Sequence, residues 1–260
     1  MPQGSCLSPT LFILYTSDIP DPSEDCVIVL FADDLTQIII YNEKSRTEMA
    51  LKTQREIEKY NEYEKKWKIQ TTLRKFQVIP ISITKPEDLS IQQEPVEYKT
   101  QGKMLGLQLQ RNGIHNHINN RIKLAEHKLT ALKALSGTSK EIKLRLVKAL
   151  VRPILEYPPI PLDTVRITNK QKMQTVQNKA IEWVLGRKRR REERMEDLHM
   201  ELNLEPLNIR IKNLSRKIWS KLEAVNNNDI YEYLKRRHQE TANSNEHYWW
   251  PSSLLKKKML

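Results

Sequence analysis

Asp33 and Asp34 stand side by side between two apolar runs, Cys26 to Ala32 and Leu35 to Tyr41. Adjacent carboxylates repel each other, and a divalent cation is the usual reason for a fold to tolerate them. A metal held there would act on phosphates. Asp is also an ordinary turn residue that bonds its own backbone, so the rest of the chain must decide between the two readings. Other chemistries find less support. Cys6 and Cys26 are too few for a disulfide framework or a zinc knuckle and fit a reducing compartment. Cys6 has no histidine partner in the sequence that would make it a nucleophile. His115, His117 and His127 are spaced suggestively, but no cysteine or acidic partner completes a metal set.

The elements that must position the aspartates can be read from pattern. Both flanks are short and rich in β-branched residues, which predicts a hairpin with the aspartates at its turn. Ser8-Pro9 is a helix start, with Ser as cap and Pro in the first turn. Ser45 to Glu48 fits a capping box that opens a helix to about Trp67. Phe76 to Ile83 is a strand candidate, with Pro80 marking an edge or bulge. Met104 to Leu109 reads as another strand, and Asn112-Gly113 as a turn. From about residue 115 the pattern is helical. Ile118, Ile122, Ala125, Leu129 and Leu132 recur at helical spacing, ended by Gly137. A second helix is expected over 140–151, then a proline-rich break from Pro153 to Pro161. A third is capped by Thr168, and a fourth is opened by Pro206. The fold class expected is α+β: a mixed part over 1–114, a helical part over 115–240 and a loosely ordered tail over 241–260.

The chain has 260 residues and a formal net charge of +12, which favours a polyanionic partner. No segment has the long apolar run a membrane reading needs, so nucleic acid is the expected partner. Arg187 to Arg191 could serve nuclear entry or phosphate binding, or could be a solvated helix end balanced by Glu192 and Glu193. Trp249-Trp250 could stack bases, or simply pack the tail. The N-terminus lacks the pattern of a signal peptide, so an intracellular location, nuclear or cytoplasmic, is expected. The first residues read as the inside of a functional loop, from which an upstream part is expected.

Several strings fall in a fixed order: Pro2-Gln3-Gly4-Ser5-Cys6-Leu7-Ser8-Pro9, Phe31-Ala32-Asp33-Asp34, Trp67-Lys68-Ile69 leading to Lys75-Phe76, and Leu105-Gly106-Leu107. As an ordered set they resemble the C-terminal part of reverse transcriptases from non-LTR retrotransposons. Val151 to Pro159 and Gln174 to Ala180 look like the Jockey group. The resemblance implies that Asp33 is a catalytic metal-binding carboxylate of a polymerase palm and Asp34 its partner. It implies that Gln3 and Gly4 lie against nucleotide and template, and that Lys75 sits near the nucleotide phosphates. Leu105, Gly106 and Leu107 match the primer grip, and the helices from about His117 match the thumb. The Lys and Arg of those helices, Arg121, Lys123, Lys128 and Lys133 among them, would follow a duplex backbone.

The implied chemistry is RNA-directed DNA synthesis with two Mg²⁺ ions, RNA template, DNA primer and deoxynucleoside triphosphates. The sequence departs from the family pattern in two places. The first palm carboxylate, on a strand before the Pro-Gln-Gly loop, is not among these 260 residues, and Thr72 stands where the family has asparagine. A metal site lacking one carboxylate aligns the primer poorly, so little polymerase activity is expected from the chain alone. The alternative is a non-catalytic nucleic-acid-binding protein derived from such an element.

Overall fold

The structure is a computed structural model that describes residues 4–23, 25–41, 45–69, 71–81, 87–92, 94–111 and 113–224. Gln3, the 241–260 tail with Trp249-Trp250, and Asn112 lie outside these residues. The chain forms two compact units, divided between Gly113 and Ile114. The composition is mixed, strands in the first unit and helices throughout, which is the α+β class expected.

In the first unit, helix α1 (Ser8–Tyr15) is followed by the hairpin β1 (Cys26–Phe31) and β2 (Asp34–Ile39). The strands pair antiparallel from Cys26 opposite Ile39 to Phe31 opposite Asp34. Helix α2 (Arg46–Trp67) comes next. Its cap is Ser45, whose hydroxyl accepts the Glu48 N–H at 3.4 Å, so the Ser-x-x-Glu signal marks the true start. The helix stops at Lys68, which adopts a left-handed conformation with φ 53° and returns its N–H to the Glu64 carbonyl. Two further ribbons follow, β3 (Ser90–Ile91) with β4 (Glu94–Pro95), and β5 (Gln101–Met104) with β6 (Leu107–Gln110). The three ribbons remain separate two-stranded sheets among the described residues.

Two sequence expectations fail in this unit. The strand expected over Phe76 to Ile83 is reduced, within its described part, to a single bridge between Val78 and Tyr98. Pro80 cannot donate to a ladder, which limits how far pairing can run. The single strand expected over Met104 to Leu109 is instead a hairpin. Leu105 and Gly106 form its two-residue turn, with φ of 46° and 85°. Positive φ at both central positions is what a type I′ hairpin turn requires, and Gly106 supplies one at no steric cost. Gly102 on β5 is needed for a different reason: a Cβ there would lie 2.1 Å from Cδ1 of Ile79.

The second unit is helical. Helices α3 (His115–Leu132), α4 (Lys140–Leu146), α5 (Arg152–Glu156), α6 (Pro159–Thr164), α7 (Ile167–Leu185), α8 (Met195–Glu201) and α9 (Leu207–Ala224) enclose one continuous core. Ile118, Ala125, Val147, Leu155, Leu162, Met173, Ala180 and Leu207 are each no more than 1% exposed. The helix expected to break at Pro153 does not break there. A π-helical turn, Val147–Val151, joins α4 to α5, and Pro153 lies in the first turn of α5. The wider turn leaves room for a ring that cannot donate an N–H and would clash with a regular preceding turn. Helix α7 starts at Ile167 after Arg166, without a side-chain cap, so Thr168 is inside the helix. Among the described residues no helix is long and apolar enough to cross a membrane.

Candidate functional site

The hairpin of β1 and β2 is fixed at its base and exposed at its tip. At the base, Lys52 of α2 binds the Asp25 carboxylate at 2.8 Å and the Ile40 carbonyl at 2.9 Å. Tyr41 shares a hydroxyl hydrogen bond with Thr53 of the same helix. Cys26 is buried there, and burial together with the Glu56 carboxylate pushes its thiol up to about 12. A thiol so hard to ionise is a packing group. Glu56 is itself buried. Burial alone would raise its carboxyl, but hydrogen bonds from Ser23 and Lys59 outweigh that and hold it below the usual carboxylate range.

At the tip, burial falls away along β1 until Leu30 is 41% and Phe31 64% exposed. The turn consists of Ala32 and Asp33, and Asp34 opens β2 opposite Phe31. Both aspartates are exposed, and their carboxylates make no hydrogen bond or ion pair with any described residue. Ala32 has φ 51°, a left-handed conformation that favours glycine and costs an L-residue roughly 1–2 kcal/mol. This backbone presents the two carboxylates to solvent, where they can act only on something that arrives there.

The two carboxylates suit magnesium as donors, being hard oxygens free of protein partners. They form a partial set, because no cluster of three or more His, Cys, Asp or Glu able to hold a metal occurs among the described residues.

The remaining sequence-derived candidates lie on separate elements of the first unit. Gly4 has φ +92°, with open space where a Cβ would stand. Lys75 ends a 3-10 turn, Leu73–Lys75, is exposed, and has no side-chain partner among the described residues. No hydrogen bond or ion pair links it to Asp33 or Asp34. Leu105 and Gly106 occupy the turn of the second hairpin, and Leu107 is buried at the start of β6. Gln3 lies outside the described residues. The surroundings of α1 follow from no sequence signal. The Tyr15 hydroxyl donates to the Trp67 carbonyl, the Tyr15 and Trp67 rings meet edge to face at 5.4 Å, and the Trp67 indole N–H binds Asp18 at 2.7 Å. These contacts fix α1 on α2, while Leu7, Leu11, Ile13 and Leu14 of the same region stay exposed.

In the second unit the basic run is partly neutralised. The Arg187 guanidinium binds both oxygens of Glu193, at 2.7 and 2.9 Å, and Glu193 also accepts the Arg190 N–H at 2.9 Å. These bonds, the one from Arg187 foremost, hold the Glu193 carboxyl at about 2. His117 is buried against the Tyr157 carbonyl, and His115 contacts Asn119.

Residues 1–109 match the family described as reverse transcriptase (RNA-dependent DNA polymerase). The chain is also similar to a probable RNA-directed DNA polymerase from transposon X-element of Drosophila melanogaster, with 25% identity over 198 residues. That alignment covers 72% of this chain and 22% of the fly protein, so the chain spans about a fifth of that relative's length. No solved structure matches the chain.

Proposed function

We propose, from the premise that residues 1–109 belong to the reverse transcriptase family, that this chain contributes to an RNA-directed DNA polymerase of a Jockey-like mobile element. The observation that carries the proposal is the hairpin tip. It presents Asp33 and Asp34 without protein partners, on a ribbon anchored to α2, inside the family-matched region. Asp33 with Asp34 would hold Mg²⁺, which when bound activates a primer 3′-hydroxyl and neutralises the departing pyrophosphate.

The chain's own residues have supporting parts. The strands on either side hold the two carboxylates at a set spacing, and fixed position is where much of the rate of nucleotidyl transfer originates. Lys75, an exposed ammonium without a protein partner, is suited to nucleotide phosphates. Gly4 beside Gln3 would leave backbone open toward template and nucleotide, and the Leu105-Gly106-Leu107 hairpin end would steady the primer. The helices from residue 115 would serve as thumb and connection, with the net charge of +12 drawing RNA template and DNA primer to the protein.

Primer extension on an RNA template with magnesium tests this reading. Extension by this chain, or by a polymerase assembled around it, is expected to fall by about 100-fold or more on Asp33→Ala, the scale of removing a transition-state-stabilising group. Extension that survives the substitution overturns the reading. The partial donor set favours one rival, a nucleic-acid-binding protein without catalysis. Salt-dependent RNA binding that is indifferent both to magnesium and to Asp33→Ala, with no extension under any condition, would establish that rival.

A further inference from the structure

The outer edge of β1 carries unused backbone hydrogen-bonding groups. Asp25 and Ile40 form a hydrogen-bonded pair, with the Ile40 N–H on the Asp25 carbonyl at 2.8 Å. Antiparallel pairing alternates, so Val27, Val29 and Phe31 also bond across to β2, whereas Ile28 and Leu30 turn their N–H and C=O groups away from it. Those outward groups have no hydrogen-bond partner among the described residues, and no third strand lies along β1 there.

Exposed strand edges are normally protected by charge, proline, a bulge or shortness. The other ribbons of the unit show such devices. β3 and β4 are two residues long, β4 ends in Pro95, and β5 carries Lys103. β1 has six residues, Cys26 to Phe31, with no charge, no proline and no break in its register. β2 is less suited to an apolar neighbour, because Asp34, Thr36 and Gln37 lie along it.

The edge of β1 is also complementary to itself. Two copies of β1, set antiparallel about a two-fold axis at Val29, bring Ile28 of each copy opposite Leu30 of the other. Each such pair exchanges both of its outward N–H···O bonds. Phe31 of one copy then lies beside Val27 of the other, an aromatic on a β-branched side chain. This covers Phe31 and Leu30, which are 64% and 41% exposed. Charge does not oppose the arrangement. Asp33 of each copy lies beyond opposite ends of the paired strands, about 27 Å from its counterpart and well outside the screening length of about 8 Å.

We propose that a second copy of this chain docks on the β1 edge, giving a continuous sheet in the order β2, β1, β1, β2 with Val29 on the two-fold axis. The paired length of about 17 Å and a depth of about 10 Å cover on the order of 300 Å² on each copy, which makes the dimer weak and reversible. Both hairpin tips stay open, so the dimer and the polymerase reading stand or fall separately.

The test is sedimentation equilibrium of the full chain from about 1 to about 200 μM, the range of a weak complex. The average mass is expected to rise from one copy toward two. Salt should strengthen the association, because a net charge of +12 on each copy holds the two apart. Leu30→Lys places a charge in the edge and should weaken association by about tenfold or more. Register is read with cysteines in a Cys6→Ser background. Across the axis the two Val29 positions form a non-hydrogen-bonded pair with Cα atoms about 4.5 Å apart, within disulfide reach, so oxidised Val29→Cys should give a linked dimer. The two Val27 positions are about 14 Å apart, so Val27→Cys should give none. A chain that remains single throughout the range overturns the proposal. So does growth beyond two copies, or linkage at Val27 as complete as at Val29. If Leu30→Lys does not fold, the two cysteine variants decide alone.

Discussion

The imidazole of His117 donates its Nε2 hydrogen to the carbonyl oxygen of Tyr157 at 3.1 Å, from a position only 2% exposed. A carbonyl can only accept, so the proton is on Nε2. Burial lowers the pKa of this ring below the ordinary histidine value, the Tyr157 bond opposes that, and the nearby Arg121 charge adds to the lowering.

A pH dependence of stability follows. With the folded pKa below the unfolded one, the unfolded chain takes up the proton first as pH falls through about 6.5. Stability from this group is therefore complete above that value, declines as pH drops below it, and levels off beneath the folded pKa. Thermal melts from about pH 8 to about pH 5 should show this decline, and His117→Gln should flatten it. An equally steep decline in the variant would place its origin elsewhere.

The turn residue Ala32 predicts opposite outcomes for two substitutions. Ala32→Gly removes the Cβ from a left-handed position but adds freedom to the unfolded chain, for a net change of about 0–1 kcal/mol in favour of the fold. Ala32→Val puts a branched side chain where φ is 51° and should destabilise by more than about 1 kcal/mol. Urea unfolding of the two variants measures both, and a valine variant as stable as the parent would contradict the turn geometry.

Leu155 and Leu30 offer a contrast in burial. Leu155 is fully enclosed in the helical core, so Leu155→Ala should cost about 2–5 kcal/mol. Leu30 is 41% exposed at the hairpin tip, and Leu30→Ala should change stability by no more than about 1 kcal/mol. Equal costs in denaturant titration would refute the assignment of the core to the helical unit.

Where a local rule dictated structure, the sequence was readable. Ser45 with Glu48 marked the start of α2, and β-branched flanks marked the hairpin that carries Asp33 and Asp34. Where a distant residue decides, it was not. Leucine is an unlikely turn former, so Leu105 gave no warning that β5 and β6 are two strands; only Gly106 carried a hint. Pro153 read as a break because the compensating turn lies upstream, in Val147 to Val151, whose residues look like ordinary helix formers. Lys143 is one of 44 lysines and arginines, and the ring its ammonium stands over, Trp183, is forty positions along the chain. Leu30 and Phe31 at the hairpin tip, and Leu7, Leu11, Ile13 and Leu14 at α1, are apolar side chains left exposed in the first unit.

The π-helical turn sets the angular phase of everything after it. In regular α winding, four residues overshoot a full revolution by about 40°, so a row at intervals of four spirals away from any flat surface. A turn closed by i→i+5 bonds advances less per residue. Placed between Leu146 and Arg152, it cancels the overshoot and keeps positions 143, 147, 151 and 155 on one meridian of the helix. Deleting one residue within Val147 to Val151 would let regular α winding resume and leave Leu155 within about 20° of the bearing of Lys143, whereas inserting one would swing the two apart by about 100°. The stretch thus acts as a mechanical keyway with one residue of slack, and a single deletion there should be tolerated better than a single insertion.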